Sequence, residues 1–243
     1  MKSKLIAIAA LGLTLTLLLP EAARSDGGRI YKVTITNLTA GQPLTPPILA
    51  THTNRTGFFT VGEPASEGIR QIAENGNGAV LLQALGEDTQ VHEVVTGAAP
   101  LVPANNPGDT GFESSATFTI TAQGRARYLS YASMLICTND GFTGLDSVPL
   151  PRHKITVYTA GYDARTESNT EDFADIVPPC QGLIGVASDD EGNGMSDPLL
   201  AEGGIVIPHP GINGGVDLLP QVHDWSDPVT KIEIERIRPH YDD

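Results

Sequence analysis

The sequence predicts an all-β protein, an antiparallel β-sandwich with one or two short helices as decorations at one end. Short runs of alternating apolar and polar residues recur along the chain, separated by turn-forming residues. Gly (26) and Pro (18) are abundant while aromatics make up only 5%, which assigns much of the chain to turns and structured loops. Helical spacing is confined to one region, too little helix to cross over between the strands of a parallel sheet. No fixed-period repeat is present, which sets solenoids and propellers aside.

The chain opens with Lys2 and Lys4, an apolar run from Leu5 to Leu19, and small residues Ala22, Ala23 and Ser25 before Asp26. That order predicts a secretory signal peptide over 1–25, cut after Ser25, with an uncleaved anchor as the alternative. The apolar run is about 15 residues, short of the ~20 that a membrane-crossing helix needs. Removing 1–25 takes away Lys2, Lys4, Arg24 and Glu21, a net charge of +2, so the formal charge moves from −14 to −16. A field of that sign repels phosphate backbones and anionic headgroups, so nucleic acid and a polybasic membrane patch are not expected partners, and cations are favoured. Residues 26–243 are expected to form a single domain, with secreted or periplasmic localisation and no transmembrane anchor after cleavage.

From Tyr31 to Thr36, apolar Tyr31, Val33 and Ile35 alternate with Lys32, Thr34 and Thr36, a half-buried strand. Prolines 43–47 lead into the more apolar Ile48-Leu49-Ala50. Ser66 as N-cap, Ile69, Ile72 and Ala73 at helical spacing, and Gly76 as C-terminal cap predict one helix, with a further turn or two over Ala79–Leu85. Further strands are predicted around Val91–Val95 and over Ser115–Thr121, Tyr128–Ile136, Ile155–Thr159 and Lys231–Arg238. Ala122-Gln123-Gly124-Arg125 reads as a hairpin turn. Segment 187–220 is a long Gly-, Pro- and Asp-rich stretch, either an ordered loop or the most mobile part of the mature chain.

Cys137 and Cys180 are the only cysteines. In an oxidising compartment such a pair forms a disulfide, and a loop of that size contributes about 4 kcal/mol by chain entropy. Two buried free thiols are the alternative. Neither cysteine adjoins a helix start or basic cluster that would activate it as a nucleophile.

Two acidic loops, Asn139-Asp140-Gly141 and Tyr162-Asp163-Ala164-Arg165-Thr166-Glu167, each follow a predicted strand. Brought to one end of a sandwich, Asp140, Asp163 and Glu167 would offer hard oxygen ligands suited to Ca²⁺; the plainer reading is solvated turn acids. Asp189-Asp190-Glu191-Gly192-Asn193 resembles a calcium loop but fails EF-hand spacing, with Glu191 at the third position and Leu200 at the twelfth. His209, Asp217 and His223-Asp224-Trp225 form a third candidate, for a transition metal or a general base, against the simpler reading of Trp225 as a core plug. Hydrolase, zincin, P-loop and dinucleotide motifs are absent, and Ser196 lacks the strand-and-helix setting of a nucleophile. Asn37-Leu38-Thr39 and Asn54-Arg55-Thr56 fit the glycosylation triplet.

The opening Tyr31–Thr39, Ala50-Thr51-His52, the Asn139-Asp140-Gly141-Phe142 and Tyr162-Asp163-Ala164 loops and the closing Ile232–Ile237 together resemble, in that order, the spondin N-terminal domain, most of all its bacterial stand-alone representatives. The resemblance implies an eight-stranded, C2-like sandwich with a calcium site in loops at one end, and a role in extracellular matrix and cell-adhesion interactions that is not enzymatic. The family's metal carboxylates map onto Asp140 and onto a Trp-Asp-Ala-Gly-Thr-Asp motif that reads Tyr162-Asp163-Ala164-Arg165-Thr166-Glu167 here. Arg165 therefore stands in place of a glycine and Glu167 in place of an aspartate. The expectation is a secreted, non-enzymatic, calcium-binding adhesion, matrix or cell-envelope module with a protein or glycan partner. Its rivals are a secreted transition-metal enzyme acting on polysaccharide or lipid through His209, His223 and Asp224, and a metal-free structural envelope protein.

Overall fold

Alternation fixes which face of the first strand is buried: Tyr31, Val33 and Ile35 are almost fully enclosed, and the Lys and Thr residues between them point outward. The computed structural model describes residues 28–238, so the expected signal segment lies outside the described residues. In chain order the elements are β1 (Arg29–Asn37), β2 (Ile48–His52), α1 (Glu67–Asn75), α2 (Ala79–Glu87), β3 (Val91–Thr96), β4 (Ser115–Ala122), β5 (Tyr128–Met134), β6 (Gly141–Pro149), β7 (Lys154–Thr159), β8 (Gly161–Asp163), α3 (Pro179–Ile184), β9 (Ile207–Pro208), α4 (Pro220–His223) and β10 (Thr230–Ile237). A single 3-10 turn occupies Phe173–Asp175.

Two antiparallel sheets make the sandwich, one in the order β4-β1-β10-β7 and the other β3-β2-β5-β6-β8-β9. Between them pack Val33, Ile35, Ile120, Ile232 and Ile234 from the first sheet and Leu49, Leu129 and Tyr131 from the second. Ten strands stand where the family resemblance implied eight; the last two of the second sheet, β8 and β9, are only three and two residues long.

The helices depart from the expected placement. They do not decorate one end of the sandwich; α1 packs on β5 and β6, and Ile69 and Ile72 join Ile48, Ala50, Ala132 and Met134 in a second core on the outer face of the larger sheet. The reason is visible in β2 and β5. Leu49 and Tyr131 face one core while Ile48, Ala50 and Ala132 face the other, so neither strand has a side that tolerates water. The ends of α1 form as its sequence dictates: Ser66 Oγ accepts from Ile69 N at 3.3 Å, and Gly76 closes the helix in the left-handed conformation.

A second departure concerns Gln123-Gly124. This turn does not close a hairpin but carries the chain from one sheet to the other, since β4 pairs with β1 whereas β5 pairs with β2 and β6. The following hairpin partner, β6, has no clean alternation, and its Gly144 is a packing requirement: a β-carbon there would collide with Tyr131 O. Cys137 and Cys180 are bonded to each other, joining the β5–β6 turn to α3.

If α1 completes a core and is not ornamental, Ile72→Ala destabilises the protein by about 3 kcal/mol, comparable to Ile234→Ala between the sheets. Urea unfolding of both variants measures this; a cost for Ile72→Ala below about 1 kcal/mol would return the helix to the status of a surface decoration.

Candidate functional site

The β5–β6 turn is built from its own side chains. Thr138 Oγ1 donates to Leu135 O at 2.6 Å and accepts from Gly141 N at 2.9 Å, so the reversal is closed by groups local in sequence. Asn139 extends it, accepting from Glu171 N through Oδ1 and donating to Thr170 Oγ1 through Nδ2. Asp140 then points into the protein with no solvent exposure.

Strand pairing brings Asp163 beside it. Gly141 is the register partner of Asp163, and Ala164 N donates to Asp140 O at 3.2 Å, which sets Asp140, at the end of the β5–β6 turn, beside Asp163 at the end of β8. Asp140 Oδ2 accepts from Thr166 N (2.7 Å), Glu167 N (2.9 Å) and Thr166 Oγ1 (3.3 Å). Its other oxygen, Oδ1, is buried and has no hydrogen-bond partner. Asp163, also fully buried, accepts from Arg165 N at 2.7 Å and from Asn169 Nδ2 at 2.9 Å.

Burial, and next the neighbouring Asp163 charge, push the Asp140 carboxyl up to about 7 against the pull of its backbone donors. Among the described residues no Lys or Arg forms an ion pair with either aspartate. Arg165, which replaces the motif's glycine, does not bring its charge to the pair: its Nε reaches Glu202 at 2.9 Å on the surface. Its backbone keeps the glycine-like geometry, with φ +55°. That conformation costs a non-glycine residue on the order of 1 kcal/mol.

Glu167 contributes its backbone and not its side chain. While its N–H binds Asp140, its Oε1 accepts from Asp197 N at 2.7 Å. Burial and then the charges of Glu74, Asp197 and Asp175 push it up to about 7. The expected trio of Asp140, Asp163 and Glu167 is thus a pair, with the longer glutamate arm turned to another pocket. Among the described residues one set of three ligand-type side chains has donor atoms within 4.8 Å of one another, Asp172, Asp190 and Asp217. Two of these carboxylates already cap backbone N–H groups, of Ala174 and Phe173.

His209, His223 and Asp224 are likewise not assembled into a set. His209 Nδ1 accepts from Gly211 N and its ring lies 4.9 Å from that of Trp225. His223 Nδ1 faces the backbone of Leu219, and its ring meets Phe173 edge-on. Asp224 Oδ1 accepts from Ile212 N. Burial lowers the pKa of both histidines. Trp225 packs against both cores, as a plug does, and its indole sits where a β-carbon on Gly161 would be.

One structural carboxylate escaped the sequence reading. Glu171 is buried, and its oxygens accept from Asn213 N, Gly214 N and Gly215 N while its carbonyl accepts from Asp217 N and Leu218 N. The signal was the Asn-Gly-Gly run, whose successive N–H groups can form an anion-binding nest.

The family model described as Spondin_N matches residues 41–170, just over half of the chain and a span containing Asp140, Asp163, Glu167 and Cys137. Comparison with curated proteins gives no match.

Two expectations follow from this geometry. For Asp140, below about pH 4 the carboxyl is protonated in both states. As pH rises the unfolded chain ionises first, so the group costs stability progressively up to about pH 7 and the full cost persists above it. Glu167 acts in the same direction, and the neutral buried histidines act oppositely near pH 6.5. In EDTA, Asp140→Asn should lose less melting temperature than wild type between pH 4 and 8; parallel profiles would refute a buried, uncompensated carboxyl. Glu171→Ala, which strips three backbone donors of their acceptor, should cost about 3 kcal/mol in urea unfolding.

Proposed function

Because the chain belongs to the spondin N-terminal domain family, we propose that it is an extracytoplasmic, calcium-braced adhesion or matrix module and not an enzyme. Among the described residues no helix is long and apolar enough to cross a membrane. The observation that carries it is the buried Asp140–Asp163 pair, in which Asp140 Oδ1 has no partner at all. A buried carboxylate oxygen without a donor is costly, and two adjacent carboxylates without a counter-charge are more so. A hard divalent cation answers both needs.

The donor set fits calcium. Asp140 and Asp163 would hold the ion, with backbone carbonyls and water completing a coordination shell that tolerates irregular ligands. Glu167, directed at Asp197 N, has no part in it. Bound calcium would neutralise the pair and tie the β5–β6 turn to β8 and the chain after it. A braced loop end of this kind presents a fixed surface to a partner, which is what an adhesion module requires.

Calorimetric titration of the mature domain with CaCl₂ should give one site, and saturation at about 100 times Kd should stabilise the fold by about 2.7 kcal/mol. Asp163→Ala and Asp140→Asn should each remove the heat, whereas Glu167→Gln and His223→Ala should retain it. No heat and no thermal shift for wild type would end the calcium reading. A stoichiometric zinc or copper content lost in His223→Ala would favour a transition-metal enzyme instead.

A further inference from the structure

The outer face of the four-stranded sheet is bare, in contrast to that of the larger sheet. Lys32, Thr34, Thr117, Lys154, Thr156 and Tyr158 all stand on it at least partly exposed, Tyr158 at 57%. Thr34 and Thr117 face each other across β1 and β4 with their hydroxyls 2.9 Å apart. Charges alternate along it: Lys32 pairs with Glu235 at 3.9 Å, and Lys154 and Lys231 share Glu233 at 2.9 and 3.2 Å.

Where β10 ends beside the β6–β7 turn, this face opens into a shallow concavity of about 560 Å³. Its lining takes in Lys32, Lys154 and Arg238 together with His153, with Glu235 beside Lys32 and Glu233 beside Lys154, while Arg236, in register with the inward-facing Tyr31, belongs to the other side of the sheet. The backbone holds His153 there, since Arg236 N donates to His153 O at 2.7 Å. Among the described residues Arg238 is not paired with a carboxylate. A cationic hollow on a chain of net charge −14 marks a place for an anionic group.

We propose that this concavity and the hydroxyl-bearing sheet face beside it bind an acidic polysaccharide, the Lys and Arg side chains holding its carboxylate or sulfate groups. Three features select that partner. An anionic bilayer would oppose the whole acidic footprint of the protein, whereas a slender chain meets only the cationic strip. A nucleic acid duplex carries a charge every ~1.7 Å and needs a denser run of cations than one interleaved with Glu233 and Glu235. A sugar chain spaces its anions by whole rings and presents hydroxyls between them, which the threonine rows can hydrogen-bond and the flat Tyr158 ring can stack upon. The site is separate from the Asp140–Asp163 pair and does not depend on it.

The test is binding of the mature chain, in EDTA and low salt, to oligogalacturonate, dextran sulfate and neutral dextran, with phosphatidylglycerol vesicles and inorganic phosphate alongside. A charged polysaccharide should bind, more weakly as salt is added. Affinity should fall roughly ten-fold in Lys154→Gln/Arg238→Gln, recover in Lys154→Gln/Arg238→Lys, and stay at the wild-type level in Arg55→Gln. Unchanged melting temperatures establish that the variants fold, and Arg238→Gln alone serves if the double variant does not. The proposal is overturned by retention no greater than on neutral dextran, by equal loss in Arg55→Gln, by binding to vesicles alone, or by complete competition from inorganic phosphate at matched charge. Binding that is absent in EDTA and appears only when calcium is added would overturn it while leaving the calcium site standing.

Discussion

β5 turns no face to water, because Leu129 and Tyr131 belong to the core between the sheets while Ala132 and Met134 belong to the core under α1. Its connection to β6 therefore cannot emerge into solvent as an ordinary hairpin loop does. Residues Thr138, Asn139 and Asp140 are all buried, and each polar group they carry must find its partner inside the protein. Thr138 satisfies the turn itself, Asn139 recruits 170–171, and Asp140 gathers the backbone of 166–167. The path of the chain after β8 follows from these demands. The disulfide from Cys137 to α3 holds the same turn from its other side.

Two buried carboxylates differ in how their oxygens are supplied. Glu171 has both oxygens supplied by consecutive backbone N–H groups, so its charge is matched by fixed dipoles and needs nothing more. Asp140 concentrates all its donors on one oxygen and leaves the other bare, with a second carboxylate beside it. Equal burial thus has opposite consequences. The first group is a finished latch for the 213–218 loop, and the second keeps one oxygen without a donor.

Much of the architecture was legible in the sequence where one face is wet. β1 and β10 alternate strictly, β7 nearly so, and each was placed within a residue or two; α1 announced itself through Ser66 and Gly76. β5, covered on both faces, was also placed within two residues, and legibility failed where glycine and proline interrupt a strand or where a strand is very short. β6 mixes Gly141, Gly144 and Pro149 with apolar residues and reads as turn, and β8 is three residues whose pairing is set by partners distant in sequence. The covering role of the helices was hidden: Ser130 and Ser133 interrupt the apolar run of β5, so nothing in that strand announced a second core or the segment that would supply it. In the site, Asp140 and Asp163 could be read from the order of motifs, whereas the direction of Glu167 could not, because Asp197, its partner, lies 30 residues away.

The two departures from the family motif separate what a residue does with its backbone from what it does with its side chain. Arg165 sits where a glycine is expected and still adopts the left-handed geometry, so Asp163 can cap its N–H and the following N–H groups of Thr166 and Glu167 can turn onto Asp140. The side chain is directed outward, against Gly204 and Glu202, away from the aspartate pair. Glu167 likewise delivers its N–H to the site and directs its carboxylate elsewhere. What the loop preserves is a run of three backbone donors aimed at two aspartates, a requirement indifferent to side-chain identity provided that the turn conformation is kept. That is why the loss of a glycine and the lengthening of an acid leave the aspartate pair in place.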